Sequence, residues 1–279
     1  MTRRTLDTGT KDLLVHVEDG VAVLTMNRPE RRNALSGVML TAMSAALATF
    51  ETDPEVSCIV LTGAGGAFCA GGDVKGMAEG TGGGSTASQG ADLDSRIHAQ
   101  RVSQRATAGR LYKMPKPTIA SLPGAAAGAG LSLALACDLR IASEKAVMTT
   151  AFAKVGFSGD YGGTFFLSQL VGTAKARELY FLSDRIDMKE ALRLGLVNTV
   201  VPAEQLEAET MKLAQRLAKG PRVAYRYMKE NINRAASGGD VDDCLDLEAT
   251  HHVHTGFTED HREAAKAFVE KREPLFKGR

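Results

Sequence analysis

The sequence contains no tryptophan, and aromatic residues make up only 5% of its 279 residues. It also lacks an excess of either charge, with 34 basic and 33 acidic side chains and a formal net charge of +1. A balanced surface does not attract nucleic acid or an anionic membrane in general. We therefore expect neither as a partner, and an anionic ligand would have to be held by a few local cations.

Cysteine is scarce as well, and the four residues Cys58, Cys69, Cys137 and Cys244 include no C-x-x-C pair. The N-terminal residues lack the apolar segment of a signal peptide. The longest weakly polar run, residues 125–137, is shorter than the roughly 20 residues that a spanning helix needs. We expect reduced thiols, a cytoplasmic location and no transmembrane segment.

Several catalytic and binding motifs are missing. The glycine stretches "GAGGAF" (63–68) and "GAGLSL" (128–133) do not satisfy G-x-G-x-x-G, and no P-loop pattern occurs, which disfavours nucleotide binding. His251 and His254 are three residues apart but lack cysteine or acidic partners at ligand spacing. "GFSGD" has an aspartate where a serine hydrolase has its second glycine. We expect no metal site and no hydrolase triad.

The sequence does contain β-rich runs that lead into turns or small-residue loops. Asp19-Gly20 between two such runs predicts a hairpin. Apolar residues at helical spacing after Ser36 predict a helix with Ser36 as its N-cap. Two further segments, beginning near residues 57 and 117, each predict a strand, a glycine-rich loop and a helix.

Two other parts of the chain have different patterns. Residues 79–94 are rich in Gly, Ser and Thr and predict a loop. Beyond residue 203 helical periodicity predominates. We predict an α/β core over residues 1–202, which would hold the ligand site, and an all-α C-terminal region over 203–279.

The two glycine-rich loops have two interpretations. Small residues let a ligand carbonyl approach the backbone, so exposed amides in both loops can form an oxyanion hole. The helix predicted to begin near Ala129 adds the positive end of its dipole to the second loop. The same residues are also typical of tight packing turns, and spacing alone does not separate these interpretations.

Asp160 lies in the unusual stretch "GFSGDYGGT" (156–164). Aspartate among glycines is ordinary turn chemistry, because glycine tolerates positive φ and aspartate hydrogen-bonds to nearby backbone. An acid in such a loop can also project into a site. Both interpretations stand on the local sequence.

Four ordered motifs carry a family resemblance: "NRPERRNALS" (27–36), "IVLTGAGGAFCAGGDVKGM" (59–77), "PGAAAGAGLSLALACDLRIAS" (123–143) and "DRIDMKEALRLGLVNTVVP" (184–202). From about Leu13 to Pro274 the chain resembles the enoyl-CoA hydratase/isomerase (crotonase) superfamily. The resemblance implies a spiral of repeated ββα units and C-terminal helices that form a homotrimer, often paired into a hexamer. It also implies an acyl-CoA thioester ligand, with coenzyme A carried by the substrate and no separate cofactor.

The resemblance assigns roles to individual residues. The thioester carbonyl would accept hydrogen bonds from the amides of Gly72 and Ala129. The family often has glycine at position 129, so a left-handed φ there would strain alanine. Phe268 and Lys271 would reach a neighbouring subunit's CoA. The full set expected to bind substrate or CoA is Arg31, Ala34, Ala70, Asp73, Val74, Lys75, Phe152, Phe268 and Lys271.

The chain departs from the family's hydratases at the acids. Those enzymes use two glutamates, and the matching positions here are Ser132 and Phe152. Asp160 matches the single acid of other branches, which include Δ3,Δ2-enoyl-CoA isomerases, epoxyenoyl-CoA isomerases and an aryl-CoA dehalogenase. Isomerisation needs one proton shuttle, so the resemblance favours an enoyl-CoA isomerase with Asp160 as acid and base.

For this role we expect a raised pKa at Asp160, caused by an apolar surround of Phe152, Phe157, Tyr161 and Phe165. Two alternatives remain at this stage. One is an enoyl-CoA hydratase with its acids in other positions, and the other is a non-catalytic acyl-CoA binder.

Overall fold

The computed structural model describes residues 3–78 and 91–279. The strands are β1 (Arg4–Leu6), β2 (Leu13–Glu18), β3 (Val21–Met26), β4 (Cys58–Gly63), β5 (Thr118–Leu122), β6 (Ala126–Ala127), β7 (Leu139–Ser143), β8 (Val147–Thr149), β9 (Ile186–Asp187) and β10 (Thr199–Val201). The α-helices are α1 (Gly37–Thr52), α2 (Val74–Ala78), α3 (Leu93–Ala106), α4 (Ala108–Lys113), α5 (Ala129–Ala136), α6 (Gly163–Leu182), α7 (Met188–Arg193), α8 (Leu206–Ala218), α9 (Arg222–Ala236), α10 (Val241–Gly256) and α11 (Glu259–Glu270).

The larger sheet has the strand order β1-β2-β3-β4-β5-β7-β10. Its first three strands pair antiparallel, and the pairs from β3 onward are parallel. The predicted hairpin is confirmed, since Asp19 and Gly20 have φ values of 51° and 78° between β2 and β3. Two successive positive φ values are typical of the turn that matches the twist of a hairpin.

Helix α1 covers one face of this sheet. The Ser36 side chain accepts a hydrogen bond from the Met39 N–H at 3.2 Å, which confirms the predicted N-cap. The apolar positions Leu40, Met43, Leu47 and Phe50, which predicted this helix, are all buried in the main hydrophobic core. Burial of large side chains contributes roughly 1.5–3 kcal/mol each, so packing rather than helix propensity holds α1 in place.

A smaller layer crosses the ends of the parallel strands. Strands β6, β8 and β9 form a three-stranded sheet. Isolated bridges join Leu35 to Gly72 and Cys69 to Ala126, so the glycine-rich loop after β4 lies beside β6. This layer brings the loops that follow β4 and β5 together.

The other face of the larger sheet is covered by α8. Leu206 and Ala214 of this helix pack against Val21, Val60 and Ile119. The helical C-terminal region is confirmed as secondary structure, although its first long helix packs on the core sheet. The boundary at residue 203 and a trimeric role for this region remain predictions.

Helix α9 is attached to the core by Lys229. Its Nζ donates to Asp138 Oδ2 at 2.8 Å and to the Leu111 carbonyl at 2.9 Å. The same carboxylate oxygen accepts the Thr118 N–H at 2.7 Å, so one acid joins the starts of β5 and β7 to α9. A buried lysine with this set of acceptors is fully satisfied and holds the helix in register.

Three details differ from the sequence expectations or extend them. Helix α6 begins at Gly163, earlier than periodicity indicated, and passes through a non-helical Gly172 (φ 76°, ψ 160°). Most of the predicted 79–94 loop, residues 79–90, lies outside the described residues; α3 begins at Leu93 with Asp92 as its N-cap, so the last residues of that loop are helical. Among the described helices, none combines the length and apolar character needed to cross a membrane.

Candidate active site

The two glycine-rich loops meet in direct contact. The Ala127 N–H donates to the Cys69 carbonyl at 2.9 Å. Gly71 has φ 89°, and a Cβ there would lie 2.7 Å from the Ala127 oxygen and 3.3 Å from the Ala129 nitrogen. Only glycine allows the two loops to approach so closely. Gly72 and Ala129 therefore lie beside the same cavity.

The amides of Gly72 and Ala129 donate no hydrogen bond to any residue in the described ranges. Ala129 is the first residue of α5, so its N–H lies at the positive end of the helix dipole. The left-handed residue is Gly128 (φ 52°), whereas Ala129 is helical. The strain considered for alanine at this position therefore does not arise.

The cavity has a volume of about 310 Å³. Its walls combine large apolar side chains with a few polar groups. Apolar side chains come from Leu35, Met77, Phe152, Phe157 and Tyr161, and polar ones from Gln100, Gln104, Ser158 and Asp160. An apolar enclosure with a small number of polar groups is typical of a small-molecule site.

Asp160 is the one carboxylate that lines this cavity in the part of the chain that the structure describes. Its Oδ1 is buried and has no hydrogen-bond partner within residues 3–78 and 91–279. Burial raises the pKa of Asp160 to about 6, because desolvation disfavours the charged carboxylate. The expected raised pKa is confirmed.

Three of the four aromatic residues expected around Asp160 line the cavity, and the exception is Phe165. The Phe165 ring lies 5.7 Å from that of Tyr112 and 5.5 Å from that of Phe166, away from the site. The expected surround is therefore wrong at this position. The reason is that Phe165 lies on the first turn of α6, where adjacent side chains point in different directions.

The two positions that match hydratase glutamates carry no acid and are packed tightly. Ser132 is 1% exposed, and its hydroxyl donates to the Gly128 carbonyl at 3.3 Å. The Phe152 ring stacks on Tyr180, with 5.7 Å between centroids and 11° between planes. A Cβ at Gly163 would lie 2.3 Å from Ser132 Oγ and 2.5 Å from the Tyr180 hydroxyl, so this corner has no free space.

A second acid, Asp73, lies next to Gly72 but outside the cavity lining. Its Oδ2 accepts from Arg28 Nη2 at 3.0 Å, and its Oδ1 accepts from the Gly76 N–H at 3.0 Å. The Gly76 hydrogen bond, followed by the Arg28 guanidinium, holds the pKa of Asp73 below its ordinary value. Asp73 is therefore an ionised structural group that fixes the loop of Gly72.

This constellation can be compared with known proteins. A model of the enoyl-CoA hydratase/isomerase family matches residues 16–279. The chain belongs to this family. The match covers nearly the whole chain and includes both glycine-rich loops and the C-terminal helices, so the crotonase fold expected from the sequence motifs is confirmed.

Several individual relatives of this family are similar over their full length. The 1,2-epoxyphenylacetyl-CoA isomerase of Escherichia coli (strain K12) is 37% identical, with 96% of this chain and 98% of the relative covered. The short-chain-enoyl-CoA hydratase of Clostridium acetobutylicum is 36% identical, with 94% and 95% covered. A crystal structure of an enoyl-CoA hydratase from Bacillus anthracis is 32% identical, with a TM-score of 0.86 and 96% and 100% of the two chains covered.

Other family-implied binding residues surround the first loop. Arg31 Nη1 is buried and has no hydrogen-bond partner among the described residues. Ala34 is buried, and its carbonyl accepts from Arg28 Nη1 at 2.7 Å. Ala70 donates its N–H to the Arg32 carbonyl at 2.9 Å, which joins the loop after β4 to the segment before α1.

The remaining expected residues lie outside the cavity lining. Val74 and Lys75 form the start of α2, where both are exposed. Phe268 is 85% exposed on α11, and Lys271 ends this helix with φ 56°. The structure does not bring Phe268 or Lys271 to the cavity of the same chain, and their contact with a neighbour's CoA remains a prediction.

Outside the 156–164 stretch, sequence reasoning missed four cavity residues: Leu35, Met77, Gln100 and Gln104. The two glutamines lie on α3, whose surface is mostly exposed, and nothing in their local pattern marks them as functional. Their relation to Asp160 depends on tertiary packing across more than fifty residues of sequence. Only Met77, which follows the first glycine loop closely, could have been inferred from its neighbours.

Proposed function

We propose that this protein moves the double bond of an enoyl-CoA substrate, with Asp160 as the single acid and base. One observation carries the proposal: a lone carboxyl group, with an unpartnered oxygen and a pKa near 6, lines a cavity that also contains the amides of Gly72 and Ala129. A pKa near the working pH suits a group that must both accept and return a proton.

The chemistry uses only groups of this chain. The Asp160 carboxylate takes a proton from C2 of a 3-enoyl thioester, and the electron pair moves through C1 to the thioester oxygen. The Gly72 and Ala129 N–H groups donate to this dienolate oxygen, where they stabilise developing charge. The protonated Asp160 then returns the proton at C4, and the double bond now joins C2 and C3.

Water addition is the second candidate because relatives at about this level of identity are named as hydratases. That reaction needs a group to activate water and a way to protonate the α-carbon. Ser132 and Phe152 supply neither, and Asp160 would have to serve both roles. A non-catalytic acyl-CoA binder is disfavoured further, since an uncompensated buried carboxyl group would then serve no purpose.

We propose that coenzyme A enters as part of the substrate and that no separate cofactor is used. The buried, unpartnered Arg31 Nη1 supports an anionic partner at this edge of the site, because guanidinium groups bind phosphate well. Lys75 would add a second cation.

The same proposal includes a homotrimer or hexamer. Large apolar side chains are exposed along the C-terminal helices and the segment that follows them, which is unusual for a monomer. They are Met228, Ile232, Val241, Leu245, Val253, Phe257, Phe268, Val269 and Leu275. We also place the protein in the cytoplasm, since its buried cysteines Cys58, Cys69 and Cys137 are unpaired.

The test is to incubate the protein separately with 2-enoyl-CoA and 3-enoyl-CoA thioesters, including straight-chain and ring-bearing acyl groups. We expect migration of the double bond in the 3-enoyl substrates and loss of this activity in Asp160→Asn. Rapid hydration of the 2-enoyl substrates without migration in the 3-enoyl ones would contradict the proposal. Light scattering of the same sample measures the oligomeric state, and a monomer would contradict that part.

A further inference from the structure

Helix α3 makes two contacts with the residue that follows Asp160. The Tyr161 N–H donates to Gln104 Oε1 at 2.6 Å, and the Tyr161 hydroxyl is hydrogen-bonded to Ser103 Oγ at 3.2 Å. Ser103 and Gln104 are consecutive, and Ser103 is the one fully buried residue of α3. A mostly exposed helix thus contacts the loop through two side chains, one bonded to the Tyr161 backbone N–H and the other to the Tyr161 hydroxyl.

These contacts matter because Asp160 Oδ1 has no hydrogen-bond partner among the described residues and so does not hold the side chain in place. A carboxylate oxygen that is to accept a substrate proton has to remain free in this way. Its position must therefore come from packing and from the backbone that carries it.

The backbone around Asp160 is bonded at both ends of one peptide unit. The Asp160 carbonyl accepts from the Gly163 N–H at 3.1 Å, and the adjoining N–H, that of Tyr161, donates to Gln104. These two hydrogen bonds fix the plane of the peptide group between Asp160 and Tyr161. Rotation of that plane would swing the Asp160 side chain relative to the cavity.

The local sequence does not favour this geometry by itself. Tyr161 has φ 49°, in the left-handed region that costs a non-glycine residue on the order of 1 kcal/mol. Gly159 and Gly162, on either side, also have positive φ values of 115° and 75°. Such a loop has many alternative conformations when unsupported, so a tertiary contact must select this one.

We propose that Gln104 and Ser103 are positioning residues that hold the Asp160 carboxyl group in its reactive place. Neither takes part in proton transfer, and both act through Tyr161. The inference rests on the proposed role of Asp160 and adds an element that the sequence motifs do not include.

The first test compares Gln104→Met, which removes the acceptor at similar length, with Gln104→Glu, which keeps an oxygen acceptor. We expect Gln104→Met to lower kcat roughly tenfold with little change in KM, because small displacements of a reacting group are costly. Gln104→Glu should recover most of kcat at the pH of maximal rate. Exposed Arg105, the next residue on α3, provides a matched control as Arg105→Gln.

The pH profile separates positioning from a simple loss of stability. Looser packing admits water to Asp160, so the acid limb of kcat in Gln104→Met should move to lower pH by roughly half a unit or more. Among the described residues, the other titratable groups near Asp160 are Cys69, Tyr161 and Tyr180, and burial raises the pKa of all three. They stay neutral across the acid limb, so none of them contributes to it.

A second pair of variants tests the other contact. Ser103→Ala and Tyr161→Phe remove the same hydrogen bond from its two sides, so their effects on kcat should overlap rather than add in the double variant. This pair keeps the proposal testable if Gln104→Met does not fold, which circular dichroism would reveal.

The outcomes distinguish this inference from the proposed function. If Asp160→Asn retains the parent rate, the proposed acid–base role of Asp160 is wrong, whatever the α3 variants show. If Asp160→Asn is inactive while Gln104→Met and Ser103→Ala keep the parent kcat and pH profile, the positioning role alone is overturned. A rise confined to KM in Gln104→Met would identify Gln104 as a substrate contact and would also overturn it.

Discussion

Asp73 and Asp160 are two aspartates beside the same loops, yet their environments have opposite effects. Both carboxylate oxygens of Asp73 accept hydrogen bonds, one from Arg28 and one from the Gly76 N–H, and its pKa is lowered. Asp160 has a buried oxygen to which no described residue donates a hydrogen bond, and its pKa is raised to about 6. One acid is held as an anion at neutral pH and the other can exchange a proton there.

The difference shows that residue type and proximity to the site do not assign the catalytic acid. Hydrogen bonds to the charged form commit Asp73 to holding the loop, since protonation would lose them. Desolvation without a compensating hydrogen bond disfavours the anionic form of Asp160, which is the environment that the proposed acid–base role requires. The comparison can be tested with the same substitution at both places.

The largest expected effect is on turnover in Asp160→Asn. Loss of the proton shuttle should lower the isomerisation rate by roughly 10²–10⁴-fold, which is the range for removal of an acid–base group. Asp73→Asn should cost much less, because it removes charge from a group that does not line the cavity. Steady-state assays of both variants on one 3-enoyl-CoA measure this, and a reversed order would show that the acids were assigned wrongly.

The next effect is the pH dependence of the parent enzyme. Since the base must be ionised, the rate should fall nearly tenfold for each pH unit below about 6, the pKa of Asp160. Asp73 remains ionised through this range because its pKa is lowered. A rate that stays constant down to pH 4.5 would contradict the raised pKa.

Asp73→Asn should lower stability, because the folded protein stabilises the charged form of Asp73. Asparagine keeps an acceptor for the Gly76 N–H but loses the ion pair with Arg28, which should cost roughly 1–3 kcal/mol of unfolding free energy at pH 7. A lowered folded-state pKa gives stability above the unfolded pKa that is lost as pH falls. The gap between parent and variant should therefore close in acid, as urea titrations at pH 7 and pH 3 would measure.

Asp160→Asn should change stability in the other direction. A raised folded-state pKa means that stability is greatest below the unfolded pKa and is lost as pH rises through about 6. The variant should therefore be more stable than the parent by on the order of 1 kcal/mol at pH 8, with no gain near pH 3. Equal melting temperatures at pH 8 would indicate that Asp160 is solvated.

The smallest effect is expected for Ala129→Gly. The amide donor is kept and the left-handed conformation belongs to Gly128, so turnover should change less than about threefold. The helix start loses a favourable residue, which should cost roughly 0.5–1 kcal/mol. A large gain in rate would mean that the alanine methyl group obstructs the substrate carbonyl, and kcat measurements would show it.

Much of the fold could be predicted because its signals are local. The Asp19-Gly20 turn and the Ser36 cap depend on residues within a few positions, and both are where the pattern predicts them. The start of α6 has no such local signal, and Gly163 packs closely against Ser132 and Tyr180, which are distant from it in sequence. Residues 79–90 lie outside the described ranges, so the loop predicted there stays a prediction.

The residues of the site also divide into those that the sequence indicates and those that only the folded chain brings together. The glycine loops and Asp160 are visible in the sequence, and so is the lack of glutamates at positions 132 and 152. Gln104 gives no signal in the sequence, because its proposed positioning role depends on one contact with Tyr161 in a distant segment. Proximity in sequence predicts that Phe165 lies beside Asp160, but its ring packs elsewhere.

By itself the sequence determined which groups the protein can use: backbone amides in two small-residue loops and one carboxyl group among glycines. Only the tertiary structure decided that Asp160 lies buried with a free oxygen while Asp73 is paired. The physical reason is that a turn or a helix cap is a matter of adjacent residues, whereas a pKa depends on how far water is excluded. That exclusion is produced by Leu35, Phe152 and Tyr161, which come together only in the folded chain.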